Sequence, residues 1–331
     1  MRILGLSCGS KLGKTHMGLL RGGNTEALIK EALMGAEELD ANVEFIRLLD
    51  LDIKPCRICK TCLLSEKGSC VIKDDAQFLY DHIMDSDGLI LGAPVYSLTP
   101  PGIIKMFEDR MMGPKTDKAF AIEIKKGGDI SLTGQPQYID ERLFKNRVGA
   151  FISVGGASTP NWLSLGLPLL HTMTFPPQIN LVDQMQVLAT SQYGHVVLNE
   201  KAIARARKLG RNVAEAMKKP IEEVKWMGDE IGTCPVCHSN VLTVGKKNPI
   251  ECPICGISGE IKVDGDEITV TFSEEEQKRS RLTIAGKREH YVELQENFKI
   301  MRQKTDLDQI PRRIEKYKGY REVKKPKRRT T

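Results

Sequence analysis

From residue 1 to about 219 the chain alternates short apolar runs with segments whose apolar residues recur at helical spacing, and this alternation constrains its fold more than any other feature. Arg2 to Ser7 is an apolar run followed by a stretch rich in Gly, Ser and Lys. Asn24-Thr25-Glu26 then opens a segment with Ala27, Leu28, Ala32, Leu33 and Ala36 at helical intervals. The N-terminus therefore reads as strand, phosphate-type loop, helix. Val43 to Leu48, Gly88 to Leu91 and Gly149 to Val154 read as further strands, with Gln186 to Leu188 in a fifth. Helices are expected at about Asp75 to Met84, Ile103 to Met112, Leu163 to Met173 and Glu200 to Lys218. Short buried strands separated by helices imply a parallel sheet covered on both faces.

Five such strands fit an α/β fold, a flavodoxin-like five-stranded parallel sheet with helices on both faces. At 331 residues the chain is longer than one small core needs. Residues 1–219 form the expected sheet domain, interrupted by a cysteine-bearing insertion at 53–73. A four-cysteine ribbon over 220–272 and a charged helix with a basic tail over 273–331 follow. Residues 113–145 look like a long surface excursion. Glu267 to Phe272 is strand-like, and a charged helix runs from about Ser273 to Met301 with Tyr291, Leu294 and Phe298 on one side, suited to a neighbouring subunit. The net charge of +6 is a property of the tail: Pro311 to Thr331 carries ten Lys/Arg and two Glu, +8, which leaves −2 for the rest. A solvated basic tail without a folded basic surface makes nucleic acid an unlikely partner. No window approaches an apolar membrane span, and the first residues lack a secretory pattern, so the expectation is a cytoplasmic protein.

Eight of the nine cysteines fall in two clusters, which in a cytosolic chain point to metal and not to disulfides. Cys56, Cys59, Cys62 and Cys70 read C-x2-C-x2-C-x7-C, ferredoxin-like spacing that favours a [4Fe-4S] cluster over zinc or free thiols. Pro55 stiffens the entry and Gly68 allows a tight turn. The insertion follows the second strand, so it emerges on the same sheet edge as the loop after the first strand, where ligands of such sheets bind. Cys234-Pro-Val-Cys237 and Cys252-Pro-Ile-Cys255 are two knuckles at ribbon spacing, a tetrahedral four-thiolate site. Glycine follows the second pair (Gly256) but not the first (His238), which favours zinc over a rubredoxin-like single iron. Cys8 reads as a small buried thiol at a strand end. His16, His82, His171 and His195 lack ligand spacing and read as structural or surface residues.

Three elements carry a family resemblance. Ile3 to Ser7 with Gly9-Ser10, then Gly22-Gly-Asn-Thr-Glu26, resemble the phosphate loop of NADPH-dependent FMN reductases. Gly92-Ala-Pro-Val-Tyr-Ser97 and Lys105 to Asp109-Arg110 resemble that family's second motif, and Gly155-Gly156 its third loop. With the cysteine insertion, the first 215 residues or so are most similar to the iron-sulfur flavoprotein subgroup. The resemblance implies FMN held by Ser7, Ser10, Asn24, Thr25, Pro94, Val95, Tyr96, Ser97, Gly155 and Gly156. Backbone amides and hydroxyls at a helix N-terminus suit a dianionic phosphate. Lys11 to Arg21, with Lys14 and His16, lengthens the loop beyond the family's usual form.

The resulting expectation is an FMN- and [4Fe-4S]-dependent oxidoreductase that passes electrons between a ferredoxin-like one-electron carrier, or NAD(P)H, and a two-electron small-molecule acceptor. In the family the cluster lies near the flavin of an adjacent subunit, which implies a homodimer or homotetramer. Tyr96 and His16 are the candidates for proton donor. The alternatives are an NAD(P)H-dependent flavin, quinone or nitro-compound reductase with a structural cluster, and a non-enzymatic scaffold or nucleic-acid-binding protein.

Overall fold

In the computed structural model, residues 1–9, 23–111, 116–128, 138–192, 194–304 and 306–323 are described. The elements of the first part are β1 (Arg2–Ser7), α1 (Asn24–Glu37), β2 (Asn42–Arg47), α2 (Thr61–Leu64), α3 (Ala76–Asp85), β3 (Gly88–Pro94), α4 (Gly102–Glu108), α5 (Lys118–Lys125), β4 (Arg147–Val154), α6 (Gly166–Thr174), β5 (Ile179–Val187) and α7 (Glu200–Met217). The five strands pair in parallel in the order β2-β1-β3-β4-β5. This is the flavodoxin-like winding, and its order reverses between β1 and β3. Alternate strand residues feed two cores. Ile3, Ile90 and Ile152 pack with α1 and α7 on one face. Leu4, Leu89 and Phe151 pack with α3, α4 and α6 on the other. The helices α1 and α7 touch at their backbones: a Cβ on Gly210 would lie 1.6 Å from the Ala32 carbonyl oxygen.

β5 runs from Ile179, well before the expected Gln186 to Leu188. Its polar residues hide it from an apolar-run criterion. Asp183 is fully buried against Arg205 and Asn212 of α7, and the Gln184 side chain donates to the His238 carbonyl at 2.8 Å. The segment 113–145 is not simply a surface excursion. Asp117 caps α5 by accepting from the Ala119 and Phe120 amides, and Ala119 and Ala121 are buried.

The C-terminal third opens with an antiparallel sheet of β6 (Ile250–Cys252), β7 (Ile257–Asp264) and β8 (Glu267–Thr271). The expected single charged helix is two, α8 (Glu274–Lys278) and α9 (Ile284–Gln303), before a short α10 (Gln309–Glu315). Thr283 accounts for the break: its hydroxyl donates to the Ser280 carbonyl and accepts from the Gly286 amide, starting a new helix. Tyr291 of α9 meets Phe120 of α5 edge-on at 5.3 Å, so this residue packs within the chain and not on a neighbour. The ribbon lies along β5, the last strand of the sheet. Besides Gln184, the Gln178 side chain donates to the Leu282 carbonyl at 2.5 Å, and the Met227 amide donates to the Val182 carbonyl at 2.7 Å. An edge with free ladder groups is thereby covered. Among the described residues no helix is long and apolar enough to cross a membrane.

Candidate active site

Loops after β1, β3, β4 and β5 meet at the carboxyl edge of the sheet. After β1, the Ser7 hydroxyl accepts from the Gly9 amide at 3.2 Å and the Cys8 amide donates to the Gly92 carbonyl, tying the β1 loop to β3. Cys8 is fully buried, and burial pushes its thiol up to about 12, so it is an inert packing group. Gly23, which has no side chain to cap with, stands at the N-cap of α1, a helix of 14 residues. Thr25 is buried below Gly9. The Asn24 side chain is engaged elsewhere, because its amide donates to the Thr190 and Gln192 carbonyls and its oxygen accepts from the Val196 amide. It fastens the loop after β5 to the start of α1. Ser10 and His16 lie outside the described residues.

After β3, the Val95 amide donates to the Val154 carbonyl, and Tyr96 and Thr99 exchange main-chain hydrogen bonds across a tight turn. Ser97 and Leu98 occupy that turn at φ 50° and 77°. Two non-glycine residues held there mark a loop whose shape matters more than its strain. The turn presents Tyr96, half exposed, at the sheet edge. After β4, the Gly155 amide donates to the Val187 carbonyl, and its carbonyl accepts from both the amide and the hydroxyl of Thr190. Gly156 adjoins Ser191. Thr190 therefore joins Gly155 to Asn24, a link the sequence did not signal because its partners come from three separate loops. Trp162, Leu165 and Leu169 are exposed nearby in the chain.

The insertion after β2 brings Cys56, Cys59, Cys62 and Cys70 to the wall of one cavity of ≈ 300 Å³, which Tyr80, Phe107 and Arg110 also line. Sulfur acceptors are served: the Ile58 amide donates to Cys56 Sγ, the Ile72 amide to Cys70 Sγ and the Thr61 hydroxyl to Cys59 Sγ, each at 3.4 Å. The Thr61 hydrogen bond draws the Cys59 thiol below its ordinary range. Ile58 and Lys60, on either side of Cys59, stand at φ 52° and 59°, an uncommon backbone for residues other than glycine and above all for β-branched Ile58. Gly68 has φ 60°, and a Cβ there would lie 2.3 Å from the Tyr138 ring. Four thiols on the wall of one cavity, with hydrogen bonds to three of the sulfurs, are a donor set that suits an iron-sulfur cluster.

The second four are tighter. Among the described residues Cys234, Cys237, Cys252 and Cys255 form a buried group whose sulfurs lie within 4.8 Å of one another. Each knuckle closes with the same turn: the His238 amide donates to the Cys234 carbonyl at 2.9 Å, and the Gly256 amide to the Cys252 carbonyl at 2.8 Å. His238 adopts φ 58° and Gly256 φ 68°, so histidine fills the position where glycine was expected. Trp226 stacks on the His238 ring at 3.8 Å and supports it there. Hydrogen bonding among the four pushes the Cys237 and Cys255 thiols up and draws the Cys234 and Cys252 thiols down, so all four become thiolates together only with a cation between them.

The model of the family described as NADPH-dependent FMN reductase matches residues 1–179. A flavone synthase of Aspergillus candidus is 35% identical over 308 residues, covering 90% of both chains. An iron-sulfur flavoprotein of Methanocaldococcus jannaschii is 29% identical over 209 residues, 59% of this chain and 91% of its own. Among solved structures, a flavone reductase superposes with a TM-score of 0.74 at 28% identity, covering 99% of this chain and 100% of the other. The match extends through the ribbon and the C-terminal helices. The sheet edge with its converging loops thus sits in a recognised oxidoreductase framework, and the chain belongs to the NADPH-dependent FMN reductase family.

Proposed function

We propose that this oxidoreductase uses FMN and a [4Fe-4S] cluster to exchange a pair of electrons with a planar, conjugated aromatic ketone of the flavone class. The observation that carries the reading is the placing, on one sheet edge, of the N-terminus of α1 and a cavity walled by four cysteines. Bound flavin supplies chemistry that connects one-electron and two-electron partners. The first amides of α1, with Ser7 and Thr25, hold the phosphate, and Ser10 belongs to the same loop. Pro94 to Ser97 and Gly155-Gly156 flank the ring. Tyr96 offers an aromatic face for the acceptor and a hydroxyl near its carbonyl. Cys56, Cys59, Cys62 and Cys70 ligate the cluster. Cys234, Cys237, Cys252 and Cys255 hold zinc in a closed, structural site.

Two relatives that match nearly the full chain support the substrate class, one named for making a flavone and one for reducing it. Those names describe opposite directions of one couple, so the electron donor sets the direction. Reduction delivers a hydride to the carbon β to the ketone and a proton to the α carbon. The donor is NAD(P)H or a ferredoxin-like carrier, and the working unit is a homodimer or homotetramer.

The test is anaerobic turnover of a flavone with NADPH and, separately, with a reduced one-electron donor, in the wild type and in Cys56→Ala. The reading expects Cys56→Ala to retain FMN and lose at least tenfold in turnover with the one-electron donor. Equal rates in both proteins with both donors would make the cysteine loop structural and the enzyme a simple NADPH-dependent reductase.

A further inference from the structure

Resting on the cluster reading above, we propose that Arg110 is the positioning residue of the cysteine loop: its guanidinium fastens the base of that loop and stands on the wall of the cavity that the four cysteines line. Arg110 follows α4, the helix that continues from the Tyr96 turn. Its side chain and that of Asp74 are 5% and 1% exposed and meet at 2.6 Å. The pairing is a two-pronged fork, the second prong at 3.1 Å, and Arg110 Nη1 also donates to the Lys54 carbonyl at 2.8 Å. Asp74 in turn accepts from the amides of Lys54 and Ala76. Alongside, the Asp75 carboxylate accepts from the Asp52 amide and the Asp75 amide donates to the Asp52 carbonyl. Residues entering the insertion are thus stitched to those leaving it, and Arg110 clamps both from outside. The same arginine lines the cysteine cavity, whose wall also includes Cys70.

Physical chemistry gives this arrangement a purpose beyond holding a loop. A buried Arg–Asp pair is seldom more stabilising than apolar residues of the same size, so stability alone explains it poorly. A four-thiolate cluster gains negative charge when it accepts an electron. A guanidinium on the cavity wall favours that reduced state, since local charge helps set cluster potentials. Arginine stays protonated throughout and offers both prongs to Asp74 and a further N–H to the Lys54 carbonyl, a fork lysine cannot make.

The experiment uses full-length protein purified anaerobically, in four forms: wild type, Arg110→Gln, Arg110→Lys and Asp74→Asn. The readouts are iron and sulfide content, FMN content, and the cluster midpoint from an EPR-monitored redox titration. Arg110→Gln is expected to keep FMN and shift the cluster–dye equilibrium about tenfold toward the oxidised cluster, about 59 mV for a one-electron couple. Arg110→Lys restores most of that shift but, lacking the fork, loses iron to a chelator faster than wild type. Asp74→Asn shares the faster iron loss. An unchanged midpoint with wild-type iron retention in Arg110→Gln would overturn the assignment. Loss of FMN together with iron in all three variants would also overturn it, by making the pair a support of the whole fold. A wild type without iron and sulfide would overturn the cluster reading and this inference with it.

Discussion

Ile58, Lys60 and His238 carry left-handed backbone without being glycine, and each stands inside a cysteine cluster. Cysteine spacing reported both clusters from the sequence, yet nothing in the residue types announced these conformations. They belong to the turns between the cysteines, and at His238 the conformation is held by a tertiary contact, the stacked Trp226 ring. Gly68 was legible as a turn, whereas its second constraint, the Tyr138 ring, comes from a segment 70 residues away (138 minus 68). Gly68→Ala is expected to cut iron content by more than half while leaving FMN binding intact, as metal and flavin analysis of one preparation will show. Lys287, 1% exposed with its ammonium donating to the Phe175 carbonyl, is brought down to about 8 by burial. Unfolded chains bind its proton up to the ordinary lysine range, so between about pH 8 and that range the unfolded state holds more protons and stability rises with pH. The slope is at most about 1.4 kcal/mol per pH unit. Denaturant midpoints at pH 8, 9 and 10 measure it, and Lys287→Met should lack that share of the slope.

Elements built from apolar runs were readable; those built from polar contacts were not. β1 and α1 follow directly from their patterns, while the first part of β5 hides behind Asp183 and Gln184, each bonded to a partner distant in sequence. The same polarity makes β5 the seat of the ribbon. Removing the metal from the ribbon is therefore expected to raise amide exchange in β5 as well as in β6 to β8, and exchange confined to the ribbon would show the two modules to be independent. Close helix contact gives a second expectation. Gly210→Ala forces α7 away from the Ala32 carbonyl, costing about 2 kcal/mol, and since α1 carries the phosphate-binding end, FMN affinity falls with it. Calorimetry and flavin fluorescence check the two effects separately.

At the scale of the whole molecule, the sequence disclosed the sheet order, both cysteine sets and the loops that converge at one edge, because each is encoded in local pattern. What escaped it joins separated segments: the Arg110–Asp74 fork across 36 positions, the Asn24 and Thr190 lacing of three loops, and the ribbon laid along the sheet. These joins bring a flavin cradle, a cysteine cavity and a closed metal knuckle pair into one oxidoreductase. The most direct measurement of that claim is iron, acid-labile sulfide, zinc and FMN per chain in protein purified without oxygen. The account predicts about four iron, four sulfide, one zinc and one FMN. Zinc and FMN without sulfide would contradict it.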